Sequence, residues 1–309
     1  MKCIVTGGAG FIGSNLVKRL LSDKASVKVI DNLSTGKKDN LTSVLRDINF
    51  IEADIRERER LENEFKGYDF IFHQAALPSV ARSVASPYDS FDSNVMGTLN
   101  VLNAALKNNV KRVVFASSSS IYGNSPKLPK SEEDPVNPLS PYAVSKYAGE
   151  KLTIQYYQLF GLETVALRYF NVFGPSQDPE SQYAAVIPRF ITAILNSKVP
   201  VIYGDGKQSR DFTFIENVIE ANLKAMSSAN AVGEIFNIAC NERCSLIDIV
   251  NYLSEISGKK FTPSFEEERK GDVKHSLASI SKAETILSYK PKVYFKEGLE
   301  RTYKWFKEK

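Results

Sequence analysis

Short apolar runs alternate with longer amphipathic stretches from the first residues of the chain onward. KCIVT (2–6), SVKVID (26–31), NFIEAD (49–54), FIFHQAA (70–76), RVVFASS (112–118) and TVALRYF (164–170) have the length and the Val, Ile and Phe content of strands. Between them, FIGSNLVKRLLS, RERLENEFK, SFDSNVMGTLNVLNAALKN and YAVSKYAGEKLTIQYYQLF read as helices. The strand runs lack a clean apolar–polar alternation, which suits strands covered on both faces. Strand–helix–strand repetition with right-handed crossovers predicts an α/β fold on a doubly wound parallel sheet.

The rhythm changes after residue 170. FNVFGPSQDPESQY is long and turn-rich, and short elements follow with Gly204, Gly206, Gly233 and Gly271 between them. The expected organisation is a first domain over 1–169 and a smaller C-terminal α/β lobe over 170–309. A late strand and helix near 210–240, around FTFIENVIEANLKAM, are candidates to rejoin the main sheet.

Composition narrows the classes. A chain of 309 residues with 43% hydrophobic and 25% charged residues can bury a large core and is not a disordered one. The net charge of +4 is spread without a basic block, which argues against nucleic acid and reads Lys37 and Lys38 as solvated surface. No run approaches the roughly 18 apolar residues of a membrane span. Cys3, Cys240 and Cys244 are odd in number and lack zinc or redox spacing, and MKC runs straight into a strand without a leader pattern. Reduced thiols and a cytoplasmic location are expected. His73 and His275 lie far apart, so structural roles are expected and no metal.

Chemistry concentrates in two places. TGGAGFIG (6–13) follows the first strand and opens the first helix; Gly8, Gly10 and Gly13 fit G-x-G-x-x-G, and Gly7, Gly10 and Gly13 fit G-x-x-G-x-x-G. Such glycines let backbone approach a pyrophosphate, which the N–H groups of the helix start then hold. Asp31 ends the next strand, 21 residues after Gly10, where a carboxylate accepts ribose hydroxyls and repels a 2′-phosphate. NAD is the expected dinucleotide. The second place is LSPYAVSKYAGEKL (139–152), which sets Tyr142 and Lys146 four residues apart on one helix face.

With TGGAGFIG in front, this Y-x-x-x-K resembles the short-chain dehydrogenase/reductase superfamily, in particular its extended branch of nucleotide-sugar epimerases and dehydratases. The resemblance spans nearly the whole chain. It implies an NAD-dependent UDP-sugar 4-epimerase with Tyr142, Lys146 and Ser118 as catalytic residues; SSSSIYG (117–123) leaves Ser119 as the near alternative to Ser118. For the cofactor it implies Gly7, Gly10, Phe11, Ile12 and Gly13 at the glycine turn, with Asp31, Asn32, Asp54 and Ile55 at the adenosine end. Gln74, Ala75 and Ala76 run along the dinucleotide, with Asn94 as a structural asparagine and Tyr169 beside Tyr142 and Lys146. A tyrosine has an ordinary pKa near 10, and lowering it to the neutral range needs about 4 kcal/mol. A neighbouring ammonium and a positive nicotinamide are expected to supply that. Tyr142 would then take the proton from the sugar O4 as hydride leaves C4, with Ser118 bonded to the same oxygen.

For the substrate the resemblance implies Asn171 at the phosphates, and Arg210 and Arg269 clamping the pyrophosphate with forked donors. Asp272 falls at the ribose, and Val186, Ile187 and Tyr203 flank the uracil. Either arginine alone would read as a surface ion pair. Ser276 stands where a small residue leaves room for an N-acetyl group, and Ser79, Gln177 and Ala185 match the branch acting on N-acetylated UDP-hexosamines. Pro78 departs from the glycine expected in some members. The 4,6-dehydratases need an Asp-Glu pair after the catalytic serine, and SSSSIY has no carboxylate there. Epimerisation of another nucleotide sugar such as UDP-glucuronate, or a non-catalytic NAD-sensing module, are the alternatives. The resemblance further implies a homodimer through the helices in 90–108 and 142–160.

Overall fold

The computed structural model describes residues 1–179, 185–267 and 274–309. Seven strands form the main sheet: β1 (Lys2–Thr6), β2 (Ser26–Asp31), β3 (Ile48–Glu52), β4 (Phe70–His73), β5 (Arg112–Ser118), β6 (Glu163–Tyr169) and β7 (Ile235–Ile238). Their order is 3-2-1-4-5-6-7 and every pairing is parallel. Alternate residues of one strand enter different cores: Cys3 and Val5 of β1 join one buried cluster and Ile4 the other. A sheet buried on both faces explains why the strands read as continuous apolar runs.

The register sets Thr6 beside Ile30 and His73, and Ser118 beside Tyr169, so the C-terminal strand ends lie along one edge. The order reverses between β1 and β4, the point where open α/β sheets open a crevice. Helices α1 (Phe11–Ser22), α2 (Arg58–Glu64), α3 (Gly97–Lys107) and α4 (Pro141–Phe160) connect these strands. α4 starts sharply because Pro141 is preset for the first turn and the Ser140 hydroxyl accepts the Ala143 N–H at 3.1 Å. It ends at Gly161, whose φ of 71° is the left-handed stop.

Two strand expectations ran too far. β3 ends at Glu52 and β4 at His73, and the residues that follow each turn out along the crevice. The helix expected from 90 to 108 is interrupted: Pro87–Phe91 and α3 flank a π-helical turn at Asp92–Met96, which contains Asn94.

Beyond β6, α5 (Val186–Leu195), α6 (Ile215–Ser227), α7 (Leu246–Ser257), α8 (Ser281–Leu287) and α9 (Phe295–Lys307) pack with short two- and three-residue strands. Phe173, Phe212, Phe214 and Phe295 interlock by ring contacts of 5.2–6.2 Å and join the lobe to the larger core. The short strand inside FTFIENVIEANLKAM, Thr213–Phe214, pairs with Val172–Phe173 outside the main sheet, whereas β7, which follows α6, lies beside β6 in it. No described helix is long and apolar enough to cross a membrane.

Candidate active site

A cleft of about 930 Å³ opens along the C-terminal ends of β1, β2, β4 and β5. Its floor is the glycine turn. Gly7 has a φ of +69°, and a Cβ there would stand 2.6 Å from the Ala75 nitrogen. At Gly13 a Cβ would fall 2.1 Å from the Gly7 carbonyl oxygen. Gly10 caps α1 without any side-chain hydrogen bond, so the first-turn N–H groups keep their capacity for an anion. Asp31 is 7% exposed, and its two carboxylate oxygens accept the N–H groups of Ala9 at 2.9 Å and Leu33 at 2.8 Å. Burial raises its pKa against the pull of those two bonds. The carboxylate thus braces the glycine turn while facing the cleft, where its remaining lone pairs suit hydroxyl donors.

The expected cofactor residues are largely gathered here: Phe11, Ile12, Asn32, Ile55, Gln74, Ala75, Ala76, Tyr142, Lys146 and Tyr169 all line the cleft. Two stand outside its lining. Asp54 is turned to Arg56, which binds it at 2.8 and 2.9 Å, and to Asn32 at 2.7 Å, and these bonds hold its pKa down at about 2. Asn94 is buried behind the wall, where it accepts the Leu77 N–H at 2.7 Å and donates to the Ser145 hydroxyl at 3.0 Å. It therefore ties the 74–77 segment to α4, and the π turn aims it. The Tyr169 hydroxyl accepts from Asn222 of α6 at 2.8 Å and from Gln74 at 3.2 Å.

Tyr142 and Lys146 share one face of α4, as the spacing requires. Ser118 stands close enough to the Tyr142 phenol to draw its pKa down, but burial outweighs that and raises it. The chain's own groups therefore leave the phenol above its ordinary value; the expected lowering relies on a positive nicotinamide as well as on Lys146. Lys146 is 4% exposed, rests 4.7 Å over the Phe115 ring, and is pushed down by burial to about 8. Ser118 bonds the Ser120 hydroxyl at 2.9 Å; neither Ser118 nor Ser119 is on the cleft lining, whereas Ser117 is. His73 is structural, as expected: it is held between Thr6 at 2.7 Å and Thr98 at 3.0 Å, and burial takes its pKa to about 3.

A smaller pocket of about 280 Å³ lies in the C-terminal lobe, and Ala185 lines both cavities. Asn171, Val186, Ile187, Tyr203 and Arg210 come together in it. Ser276 is off the lining, but its hydroxyl accepts from Asn171 at 3.4 Å. Ser79 and Gln177 line the large cleft. Ser79 has a φ of 95°, a strained conformation that packs its hydroxyl under the Arg82 N–H at 3.3 Å. Arg269 and Asp272 lie outside the described residues.

Sequence reasoning missed several lining residues. Lys37, read as solvated surface, lines the cleft and pairs with Asp178 at 2.9 Å. Trp305 and Phe306 of α9 close the same cleft, and Arg189 stacks 5.4 Å over Tyr203 in the small pocket. Among the described residues, two buried side-chain atoms have no hydrogen-bond partner, the Oε1 atoms of Gln177 and Gln208. Gln177 lines the large cleft and Gln208 the small pocket. Buried acceptors are rarely left unmade, so each is an open position for a donor from a ligand or an ordered water. The described residues hold no cluster of metal-ligating side chains.

Residues 3–239 match the NAD dependent epimerase/dehydratase family. The chain belongs to that family. It is 40% identical over 306 residues, 98% of each chain, to a putative UDP-glucose 4-epimerase of Methanocaldococcus jannaschii. Among solved structures it resembles the UDP-N-acetylglucosamine 4-epimerase of Methanobrevibacter ruminantium M1 in complex with UDP-N-acetylmuramic acid. That match has a TM-score of 0.94 and 42% identity, and covers 99% of this chain and 97% of that one. The UDP-glucose 4-epimerase of Thermotoga maritima with UDP-glucose matches at a TM-score of 0.95 and 36% identity, covering 100% and 99%. Other full-length relatives are named UDP-glucuronate 4-epimerase and dTDP-glucose 4,6-dehydratase. The protein is an NAD-dependent enzyme of nucleotide-sugar epimerisation or dehydration, and the glycine cradle, Asp31 and the Gln177 acceptor fit NAD in the large cleft.

Proposed function

We propose that the protein is a UDP-hexose 4-epimerase, interconverting UDP-glucose with UDP-galactose, UDP-GlcNAc with UDP-GalNAc, or both. The observation that carries this is the Tyr142 phenol, beside Ser118 and facing the cleft that shares Ala185 with a second, arginine-lined pocket. Two neighbouring cavities that share Ala185 suit a dinucleotide and a nucleotide sugar. NAD bound in the large cleft supplies a ring that takes up and gives back hydride, and its positive charge favours phenolate over phenol.

The chain's own residues do the rest. Tyr142 accepts the proton of the sugar O4 hydroxyl and later returns it. Ser118, beside the phenol, holds the same oxygen. Lys146, one helical turn on and facing the same cleft, sets its charge on the phenol's side and would hold the nicotinamide ribose. Asn171 and Arg210 hold the diphosphate. The nucleotide end stays anchored while the 4-keto sugar presents its other face. Ser119 and Ser120 follow Ser118 where a 4,6-dehydratase needs carboxylates to move protons at C5 and C6, which supports epimerisation.

A second reading concerns size. Ser276 is small and bonded to Asn171, which favours room for an N-acetyl group, as do Ser79, Gln177 and Ala185 at the cleft. We also infer a homodimer, since Tyr88, Phe91, Met96 and Val144 are exposed on elements around the 90–108 and 142–160 helices. The test is an assay of the purified protein on UDP-Glc, UDP-Gal, UDP-GlcNAc and UDP-GalNAc without added NAD. Inactivity on all four with NAD bound overturns the reading.

A further inference from the structure

Tyr142, Lys146 and Glu150 stand four residues apart down one face of α4. The proposed chemistry uses the first two. Glu150 is wholly buried at 0% exposure and lines neither cavity. Its carboxylate is gripped on three sides: Ser117 Oγ donates at 2.7 Å, Arg168 Nε at 2.9 Å and Arg168 Nη2 at 2.7 Å. Arg168 is itself 3% exposed, and its Nη1 donates to the Tyr122 hydroxyl at 2.6 Å and the Glu132 carbonyl at 3.2 Å. Tyr122 in turn donates to Asn237 of β7 at 2.7 Å.

So dry an ion pair is poorly explained by stability. Desolvating both charges costs about what their attraction returns, and a well-packed apolar pair would serve the fold as well or better. The pair is, however, attached to the site at two points. Ser117 lines the cleft and is followed directly by Ser118. Lys146 lies one helical turn from Glu150, with burial opposing its charge and Glu150 favouring it. Among the described residues, the other groups around Lys146 offer no anion: the Phe115 ring lies under it, His73 across on β4 is held neutral, and Tyr142 on the preceding turn is a phenol with a raised pKa. Among the described residues, Glu150 is paired with the Arg168 cation.

We propose that Glu150, clamped by Arg168 and Ser117, is a positioning residue of this active site: it keeps the buried Lys146 ammonium charged and anchors the strand end that carries Ser118. Neither the substrate nor the cofactor touches it. The inference rests on the reading of Tyr142 and Lys146 as the working pair. The sign is definite. A lysine is charged below its pKa, so removing the anion lowers that pKa and moves the loss of charge to lower pH.

The experiment follows Lys146 in the holoenzyme by two readouts: the pH dependence of its acylation by a small amine reagent, read by peptide mass spectrometry, and the pH profile of kcat. In E150Q both the acylation midpoint and the alkaline limb of kcat fall by about one pH unit or more. Activity in that variant recovers towards wild type as the pH is lowered. The double variant E150Q/R168M removes the buried cation along with the anion and keeps the test alive if E150Q fails to fold; its midpoint falls as well. S117A, which keeps the Glu150 charge, leaves the midpoint unmoved. A midpoint unchanged in both Glu150 variants, with kcat reduced equally at every pH, overturns the proposal and makes Glu150 structural. Acylation does not depend on which sugar is turned over, so a shifted midpoint in a protein inactive on UDP-hexoses sinks the function and keeps the inference.

Discussion

Gln208→Leu separates ligand recognition from folding more cleanly than other substitutions in the small pocket. The Gln208 amide nitrogen donates to the Tyr203 carbonyl at 2.5 Å, which fixes the orientation of the group and commits its oxygen to the other side. That oxygen is buried without a partner in a pocket formed with Tyr203, Arg210 and Leu246. A buried acceptor left unmade costs about 1–3 kcal/mol, and a ligand N–H or O–H that reaches it recovers that amount. Leucine removes the unmade acceptor together with one ordinary hydrogen bond of about 0.5–1.5 kcal/mol, so the melting temperature without ligand should stay level or rise. UDP should bind roughly 5- to 150-fold more weakly, the fold-change equivalent of about 1–3 kcal/mol. Calorimetric titration with UDP, paired with thermal melts, reads both quantities. CDP lacks the N3–H of the base and 2′-deoxy-UDP lacks one ribose hydroxyl. The analogue already missing the relevant donor should lose nothing further in the variant. Unchanged UDP affinity, or a loss of affinity that merely tracks a fall in melting temperature, refutes the assignment.

Further outcomes are expected at the large cleft. Tyr142→Phe should cut turnover by about 10²–10⁴-fold while NAD stays bound, as removal of a general base does; wild-type rates by coupled assay would dismiss the residue. Lys146, with its pKa near 8, is charged below that value, so kcat should decline as the pH rises through about 8, and a profile flat to pH 10 would contradict its role. Ser276→Tyr should harm UDP-GlcNAc turnover far more than UDP-glucose turnover, and equal losses would remove the size argument. Asp31→Ala should weaken NAD more than NADP, because only NAD gains from the ribose contact; an unaltered preference in fluorescence titrations would count against it.

The parts of this protein that were legible from sequence are those set by local periodicity or by short fixed spacings. The strand–helix alternation, the glycine turn with Asp31, and Tyr142 with Lys146 all depend on residues within about one supersecondary unit. Details failed where neighbours distant in sequence decide the geometry. Nothing near residue 94 announces a π turn; it is stabilised by what Asn94 binds at Leu77 and Ser145. Lys37 read as solvated because its partner Asp178 lies in the turn-rich segment far along the chain. Trp305 and Phe306 reach the cleft only because α9 folds back over it, and no local pattern marks them. Tyr142 shows the same limit. Helical spacing identified the Tyr–Lys pair, but burial dominates the phenol's pKa, and burial is a property of the assembled fold.

The central claim is that hydrogen leaves and rejoins C4 of a UDP-hexose as hydride while Tyr142 moves only the O4 proton. Its most direct test is proton NMR of UDP-glucose and UDP-GlcNAc incubated in D₂O with the purified protein and no added NAD. The account predicts that the C4 epimer accumulates to equilibrium with the C4 hydrogen retained as protium. Deuterium at C4 or C5, or no epimer from either sugar, would contradict it.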